Sequence, residues 1–163
     1  MASIGDSARI IKYKSAVAAL RRGGDPLRLA HAVRHLGDAY HYAGQASLAE
    51  PCYVEALSIY RGHEVRRPLD LANAIRSFAV LKDHGGAEQD AQTLWQEAHD
   101  LYVSVNVRAG VAESAARLAL LARRQGDLPQ SREWLARAVT AARAADDAET
   151  LNYVNEVKAQ IES

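Results

Sequence analysis

Three glycines set a regular spacing in this chain. Gly44, Gly86 and Gly126 recur at a nearly constant interval of about 40 residues, which we call the period. Glycine most easily adopts the left-handed conformation that ends many helices. A fixed period of this length indicates a repeated unit of supersecondary structure. It constrains the fold strongly, because each unit must bury its apolar face against a neighbouring unit.

The residues around each glycine repeat with the same period. Apolar or small residues lie at helical spacing before each glycine, and a second such set follows it. The three matching sets are Leu36, Gly37, Ala49, Tyr53 and Ala56; Phe78, Ala79, Ala91, Trp95 and Ala98; and Leu118, Ala119, Ser131, Leu135 and Ala138. Gly37, Ala49 and Ala56 are small where two helices would approach closely. The pattern therefore predicts three copies of a helix pair.

The two ends of the chain each predict half of a unit. Tyr13 lies one period before Tyr53, so a helix over Ser7–Arg21 matches the second helix of a pair. Leu151 lies one period after Val111, so a helix over Asp147–Ile161 matches a first helix. We therefore expect a single domain over residues 1–163, with a half-repeat at 7–22, repeats at 27–67, 69–107 and 109–146, and a capping helix at 147–162. The polar residues that would face outward on that last helix are Asn152, Asn155, Glu156 and Gln160.

Local signals place the helix ends. Ser47, with Glu50 one helical turn later, predicts a capping box at the start of a second helix. Gly24 and Pro26 predict a break after the first helix of the chain. Pro68 lies one period after Pro26 and is expected in the corresponding linker.

The first repeat resembles a known family. Leu36-Gly37 with Tyr40, then Gly44, Ala49, Tyr53 and Ala56, is similar to the tetratricopeptide repeat. The Trp usual near the start of that repeat is Val33 here, and its usual terminal Pro is displaced to Pro68. The period exceeds the usual unit of ~34 residues. The longer form, with Ala49-Glu50-Pro51, resembles the kinesin-light-chain type of repeat.

The resemblance implies an all-α, right-handed superhelix of about eight antiparallel helices, with peptides lying in a concave groove. A second stripe along each first helix, not used by the apolar pattern, would face that groove. Its chemically interesting members are His31, Arg34, His35, Asp38, His41, Asn73, Arg76, Asp83, His84, Glu113, Arg117, Arg123 and Arg124. Arg34 and Arg76 are one period apart and are expected to bind carboxylates of a partner. The alternative is a solvated helix face with pairs such as Arg34–Asp38.

Two histidines on this stripe have the spacing of metal ligands. His31 and His35 lie one helical turn apart, and only His84 could add a third ligand from the next repeat. We interpret them as groove residues and expect neither a metal nor a cofactor. Phosphate-binding loops, nucleophile elbows and catalytic triads are not recognisable, so we expect no catalytic residues and no enzymatic activity.

Composition narrows the choice of partner. The 20 basic and 20 acidic residues cancel, so nothing in the overall charge attracts nucleic acid or an anionic membrane. A single cysteine, Cys52, and the lack of a signal-peptide pattern favour a cytoplasmic protein with a structural thiol.

These observations predict a scaffold or adaptor that binds a protein or peptide, acidic or C-terminal, in the concave groove. Two alternatives remain open at this point. One is a structural module that self-associates as a homo-oligomer through its terminal helices, and the other is a regulatory sensor of a small signalling peptide.

Overall fold

The computed structural model describes residues 4–163, with side chains from residue 5 onward, and this part of the chain contains eight helices and no strand. The helices are α1 (Ile4–Arg21), α2 (Pro26–Tyr42), α3 (Ala46–Gly62), α4 (Pro68–His84), α5 (Glu88–Ser104), α6 (Arg108–Arg124), α7 (Leu128–Ala145) and α8 (Ala148–Glu162). Each helix packs against the next, and α8 also packs on α6. Helices α2 to α6 are each 17 residues long, which accounts for the long period.

The three spaced glycines end α2, α4 and α6, as the sequence predicts. Gly44, Gly86 and Gly126 have φ values of +72°, +75° and +81°. After Gly44, the N–H of Gln45 donates to the carbonyl of Tyr40 at 2.8 Å, which satisfies an end carbonyl of α2. The turns at Gly86 and Gly126 repeat this bond, so the repeat extends to the turn geometry.

The predicted packing register is confirmed at the centre of each helix pair. Tyr53 and Trp95 have no exposed surface, and Leu135 is 8% exposed. The Tyr53 ring lies directly over Gly37, because a Cβ at Gly37 would stand 2.8 Å from Tyr53 Cε1. The small residue on the first helix thus makes room for the large one on the second.

Two local predictions were wrong. Pro26 and Pro68 are not linker residues but lie at the start of α2 and α4, where the missing proline N–H costs no hydrogen bond. The Ser47–Glu50 capping box does not form, because α3 already begins at Ala46 and its cap, Gln45, makes no side-chain bond. Glu50 instead accepts a hydrogen bond from Lys82 of α4 at 2.7 Å.

One type of ion pair recurs between α1 and α3 and between α3 and α5. Arg21 of α1 donates to both oxygens of Glu55 of α3 at 2.9 and 2.7 Å. Arg61 of α3 donates to both oxygens of Glu97 of α5 at the same distances. These pairs are largely exposed, and such pairs are worth only about 0–1 kcal/mol each. Their value here is to mark equivalent positions in successive units.

The outer face of α8 is polar where its counterpart in α6 is apolar. Ala112 and Ala115 are fully buried in α6, whereas Asn152 and Asn155, one period later, are exposed. A further helix packed on this face would have to cover polar side chains, which is unfavourable unless each finds a hydrogen-bond partner.

Burial of His99 is expected to make stability depend on pH. His99 on α5 is 6% exposed, its ring centroid lies 5.1 Å from that of Trp134, and its Nδ1 is 3.1 Å from Ser114 Oγ. Burial lowers the pKa of His99 below its ordinary value of 6.5. The unfolded chain therefore takes up this proton at a higher pH than the folded chain does. Stability should fall as the pH drops below about 6.5 and until it passes the folded-state pKa.

We expect His99→Gln to reduce this pH dependence. The measurement is the urea midpoint at about pH 7.5 and about pH 5.5, compared with the same two midpoints of the wild type. If the difference between the two midpoints is the same in His99→Gln as in the wild type, protonation of His99 does not determine the pH dependence of stability.

Candidate binding groove

Side chains of the first helices surround two adjoining cavities. One, of about 400 Å³, is lined by residues of α2, α4 and α6 together with Tyr53. The other, of about 450 Å³, lies between α4, α6 and α8. Arg76, Glu113 and Arg117 line both cavities. We refer to the two as the α2–α4 and α8 compartments of one groove.

An ion pair between α4 and α6 separates the two compartments. Arg76 Nε donates to Glu113 Oε2 at 2.6 Å, and Arg76 Nη2 donates to Glu113 Oε1 at 2.8 Å. The Arg76 side chain is 42% exposed, so the pair is open to the groove. Its Nη1 takes no part in the bidentate contact and can donate to a ligand.

Arg34, the counterpart of Arg76 in the first repeat, is much less accessible. Its side chain is 15% exposed, its Nη2 lies 2.7 Å from His35 Nε2, and its Nη1 lies 3.7 Å from Asp38 Oδ2. The pair with Asp38 that the sequence offered as an alternative is therefore present. The two arginines share a position in the repeat but not an environment.

Asp38 links the two helices of repeat 1, α2 and α3. It accepts a hydrogen bond from Tyr53 Oη at 2.9 Å and lies 3.4 Å from His35 Nδ1. Burial acts to raise the pKa of Asp38, but His35, Arg34 and Tyr53 together outweigh it and lower this pKa. Asp38 is thus a charged structural residue that also lines the α2–α4 compartment.

A pair of histidines lies at the far end of the α2–α4 compartment. His41 Nε2 is 3.2 Å from His84 Nδ1, and the Tyr42 ring stacks on His41 with a centroid separation of 6.0 Å. Burial, followed by the proximity of His84, lowers the pKa of His41. His84 therefore contacts His41 rather than His31 and His35, which lie next to each other beside Tyr13 of α1. No group of three residues suited to a metal comes together within residues 4–163.

Arg117 lies between two aromatic rings at the boundary of the compartments. Its guanidinium carbon is 5.8 Å from the Trp95 ring centroid and 5.6 Å from that of Tyr153, and its Nη1 is 3.7 Å from Asp83. The Arg117 Nε and the Tyr153 hydroxyl are buried without a hydrogen-bond partner among the described residues. Asp83 in turn binds Arg124, which also contacts Glu88 at 3.0 Å.

The α8 compartment contains residues that the sequence analysis did not assign to the groove. Tyr102 donates a hydrogen bond to Asn73 at 2.8 Å, and Tyr153, Asp147 and Glu149 close the compartment on the α8 side. Tyr153 lies one period after Glu113, so the repeat would have placed it on the same stripe. Arg123 lies elsewhere, in a cavity with Arg132 and Ile161 near the ends of α6, α7 and α8.

Cys52 lies outside the groove, between α1 and α3. Its thiol donates to the carbonyl of Leu48 at 3.4 Å, and burial raises the pKa of Cys52 to about 11. A thiol with such a pKa is almost entirely protonated at neutral pH and is a poor nucleophile. Among the helices within residues 4–163, none is both long and apolar enough to cross a lipid bilayer.

Comparison with known proteins decides the type of fold. The sequence matches no protein-family model and no curated protein. The structure is similar to the crystal structure of BtubC (BKLC) from P. vanneervenii, with a TM-score of 0.75 and 19% sequence identity. The fold is a kinesin-light-chain-like tetratricopeptide-repeat solenoid. The match covers 93% of this chain and 63% of the BtubC chain.

Proposed function

We propose that this tetratricopeptide-repeat protein is a protein-interaction scaffold that binds an extended segment of a partner protein in the groove. The helical-repeat fold supports the general role, since such folds present long surfaces to other proteins. The observation that carries the proposal is the groove itself, which continues over α2, α4, α6 and α8 with the Arg76–Glu113 pair at its centre. Arg76 supplies an exposed donor, Nη1, that this pair does not use.

Charge in the groove is mostly neutralised by pairs within the protein. Glu113 pairs with Arg76, Asp38 with Arg34, and Asp83 with Arg124. A ligand carboxylate at Arg76 must therefore compete with Glu113. It gains less binding free energy there than it would at a guanidinium group that has no partner. For this reason we propose recognition of the partner's backbone along the groove, with one carboxylate, from an acidic side chain or the C-terminus, at Arg76 Nη1.

The α2–α4 compartment is the better place for that carboxylate. Arg76, Arg117 and Glu113 line both compartments. The α2–α4 compartment adds one carboxylate, Asp38, and the two histidines His41 and His84, whereas the α8 compartment adds two carboxylates, Asp147 and Glu149. A peptide with its acidic end near α2 and its other end near α8 would match this distribution.

Substitutions at the central ion pair test the proposal. Arg76→Ala should weaken binding of the natural partner about tenfold, because it removes a charge-assisted hydrogen bond worth about 1.5 kcal/mol. Glu113→Gln should strengthen it, since Arg76 would then be free of its competing carboxylate. The partner is captured with the wild-type protein, identified, and its Kd measured against each variant by calorimetry.

Arg61→Ala is the matched control. Arg61 makes the same kind of bidentate pair, with Glu97, but lies between α3 and α5 and does not line the groove. It should leave the Kd unchanged. Equal affinities for wild type, Arg76→Ala and Glu113→Gln would contradict the assignment of a carboxylate to this site.

The outer face of α8 does not favour self-association through this terminal helix. The exposed polar residues Asn152, Asn155 and Lys158 occupy positions whose counterparts in α6 are buried. Stacking a second copy on this face would cover these groups. We therefore expect the purified protein to be monomeric at micromolar concentration.

A further inference from the structure

The ladder of ion pairs on the second helices is interrupted between α5 and α7. Arg21–Glu55 joins α1 to α3, and Arg61–Glu97 joins α3 to α5. At the next step, the position equivalent to Arg61 is Val103 and the position equivalent to Glu97 is Arg137. No ion pair can form between these two side chains. Val103 is left 55% exposed on the outer surface of α5.

A shallow cleft of about 450 Å³ opens where the ladder is interrupted. Its apolar surface comes from small side chains of α7 and from Val111 of α6, while His99 contributes from α5. The α7 residues are Ala136, Thr140, Ala141 and Ala144. Because these side chains are small, a helix or a large apolar side chain can approach the α7 backbone closely. Val103 does not line the cleft but lies one turn beyond His99 on α5 and is exposed.

The charges that line the cleft are all positive. Arg108 and Arg137 line it, and none of the described carboxylates does. Arg108 Nη1 donates to the carbonyl of Ala144 at 2.8 Å, which holds the guanidinium over the end of α7. Arg137 lies 4.6 Å from the Trp134 ring centroid and forms an ion pair with Glu133 of the same helix. Both members of that pair are more than half exposed, so the pair is weak and can be exchanged.

We propose that this α5–α7 cleft docks an amphipathic acidic helix of a partner protein. Leucine-like side chains of the helix would fill the apolar surface, and its carboxylates would bind Arg108 and Arg137. Charge complementarity selects this occupant, since the charges that line the cleft are those of Arg108 and Arg137, and carboxylates of the helix could bind Arg108 and replace Glu133 at Arg137. The residues that line the cleft differ from those that line the groove, so the two sites can fail or succeed independently.

The probe is a synthetic, acetylated and amidated peptide of about 16 residues, just above the length at which isolated helices are marginal, with leucines on one face and glutamates elsewhere. The control peptide has lysine at every glutamate position. Binding is followed by fluorescence polarisation of the labelled peptides and by tryptophan emission, because Trp134 lies against both His99 and Arg137 at the cleft. We expect the acidic peptide to bind at least about tenfold more tightly than the lysine peptide.

Restoring the interrupted ladder should close the site. In the double variant Val103→Arg with Arg137→Glu, the two side chains match the equivalent pair Arg61–Glu97. We expect it to unfold at the wild-type temperature and to bind the acidic peptide at least about tenfold more weakly. Arg137→Glu alone reverses one of the two charges and should shift the preference toward the lysine peptide, which keeps the test decisive if the double variant does not fold.

Arg76→Ala identifies which surface holds the probe. It should not alter binding of the acidic peptide at the α5–α7 cleft, whatever it does to the partner bound in the groove. The proposal is overturned if neither peptide binds at about millimolar concentration, if the two bind equally, if Arg137→Glu leaves the preference unchanged, or if Arg76→Ala abolishes binding of the acidic peptide.

Discussion

Replacing Gly37 by leucine is expected to destabilise the protein by about 3 kcal/mol or more, at the upper end of the usual range for overpacking. A Cβ at this position would stand 2.8 Å from Tyr53 Cε1 and 3.1 Å from Cys52 Cβ. Tyr53 cannot easily move away, because it has no exposed surface and its hydroxyl is bonded to Asp38. Leucine favours a helix by about 1 kcal/mol over glycine, which offsets only part of the steric cost. The helix pair must therefore separate.

Thermal unfolding followed by circular dichroism measures this effect. We expect the midpoint to fall by roughly 10 °C, given about 2–4 °C per kcal/mol for a chain of this size. Gly62→Ala is the control, since no atom lies within 4 Å of a Cβ there and its backbone is not left-handed. An unchanged midpoint for Gly37→Leu would show that Gly37 does not face Tyr53.

Trp95→Ala is expected to lower the free energy of unfolding by about 3–5 kcal/mol, because it leaves a cavity at the centre of the second repeat. Trp95 is completely buried, against Ala79, Ala91 and Leu118. Its ring also faces the Arg117 guanidinium. Loss of the ring would leave a cavity and free a groove arginine, so both stability and partner binding should suffer.

The other tryptophan provides the comparison. Trp134 is only partly buried, at the edge of the same core cluster. Trp134→Ala should lower the free energy of unfolding clearly less than Trp95→Ala does. Urea titration followed by far-ultraviolet circular dichroism measures both free energies. Equal losses for the two variants would mean that Trp95 does not occupy the central position assigned to it.

The repeat register could be predicted from the sequence because it depends on residue size. Gly37 opposite Tyr53 and Ala79 near Trp95 satisfy a local volume constraint that recurs with the period. The same period leads from Glu113 to Tyr153, which completes the α8 compartment.

The accessibility of groove side chains could not be predicted in this way. Arg34 and Arg76 share a position in the repeat, yet Arg34 lies against His35 and Asp38 of its own helix while Arg76 reaches Glu113 of the next repeat. A long side chain goes to whichever partner its neighbours offer, and those neighbours differ between repeats. The contact between His41 and His84 depends on the separation of α2 and α4 and has no signature in the spacing.

The helix starts at Pro26 and Pro68 show a different kind of limit. Proline is compatible both with a linker and with the first turn of a helix. At Pro26 the choice is made by Asp25, whose Oδ1 accepts a hydrogen bond from the N–H of Arg28 at 3.0 Å. Asp25 and Pro26 therefore mark the start of a helix. Pro68, one period later, lies at the start of the corresponding helix of the next repeat.

Binding of a partner in the groove is tested most directly by site-specific photo-crosslinking. A benzophenone amino acid is placed at Tyr42, which lines the α2–α4 compartment and is 71% exposed, or at Val54, which is 52% exposed on α3 and lines neither compartment. After irradiation with the captured partner, mass spectrometry identifies the adducts. We predict a covalent adduct with the partner from position 42 and none from position 54. An adduct from position 54 alone, or none from position 42, would contradict binding in the groove.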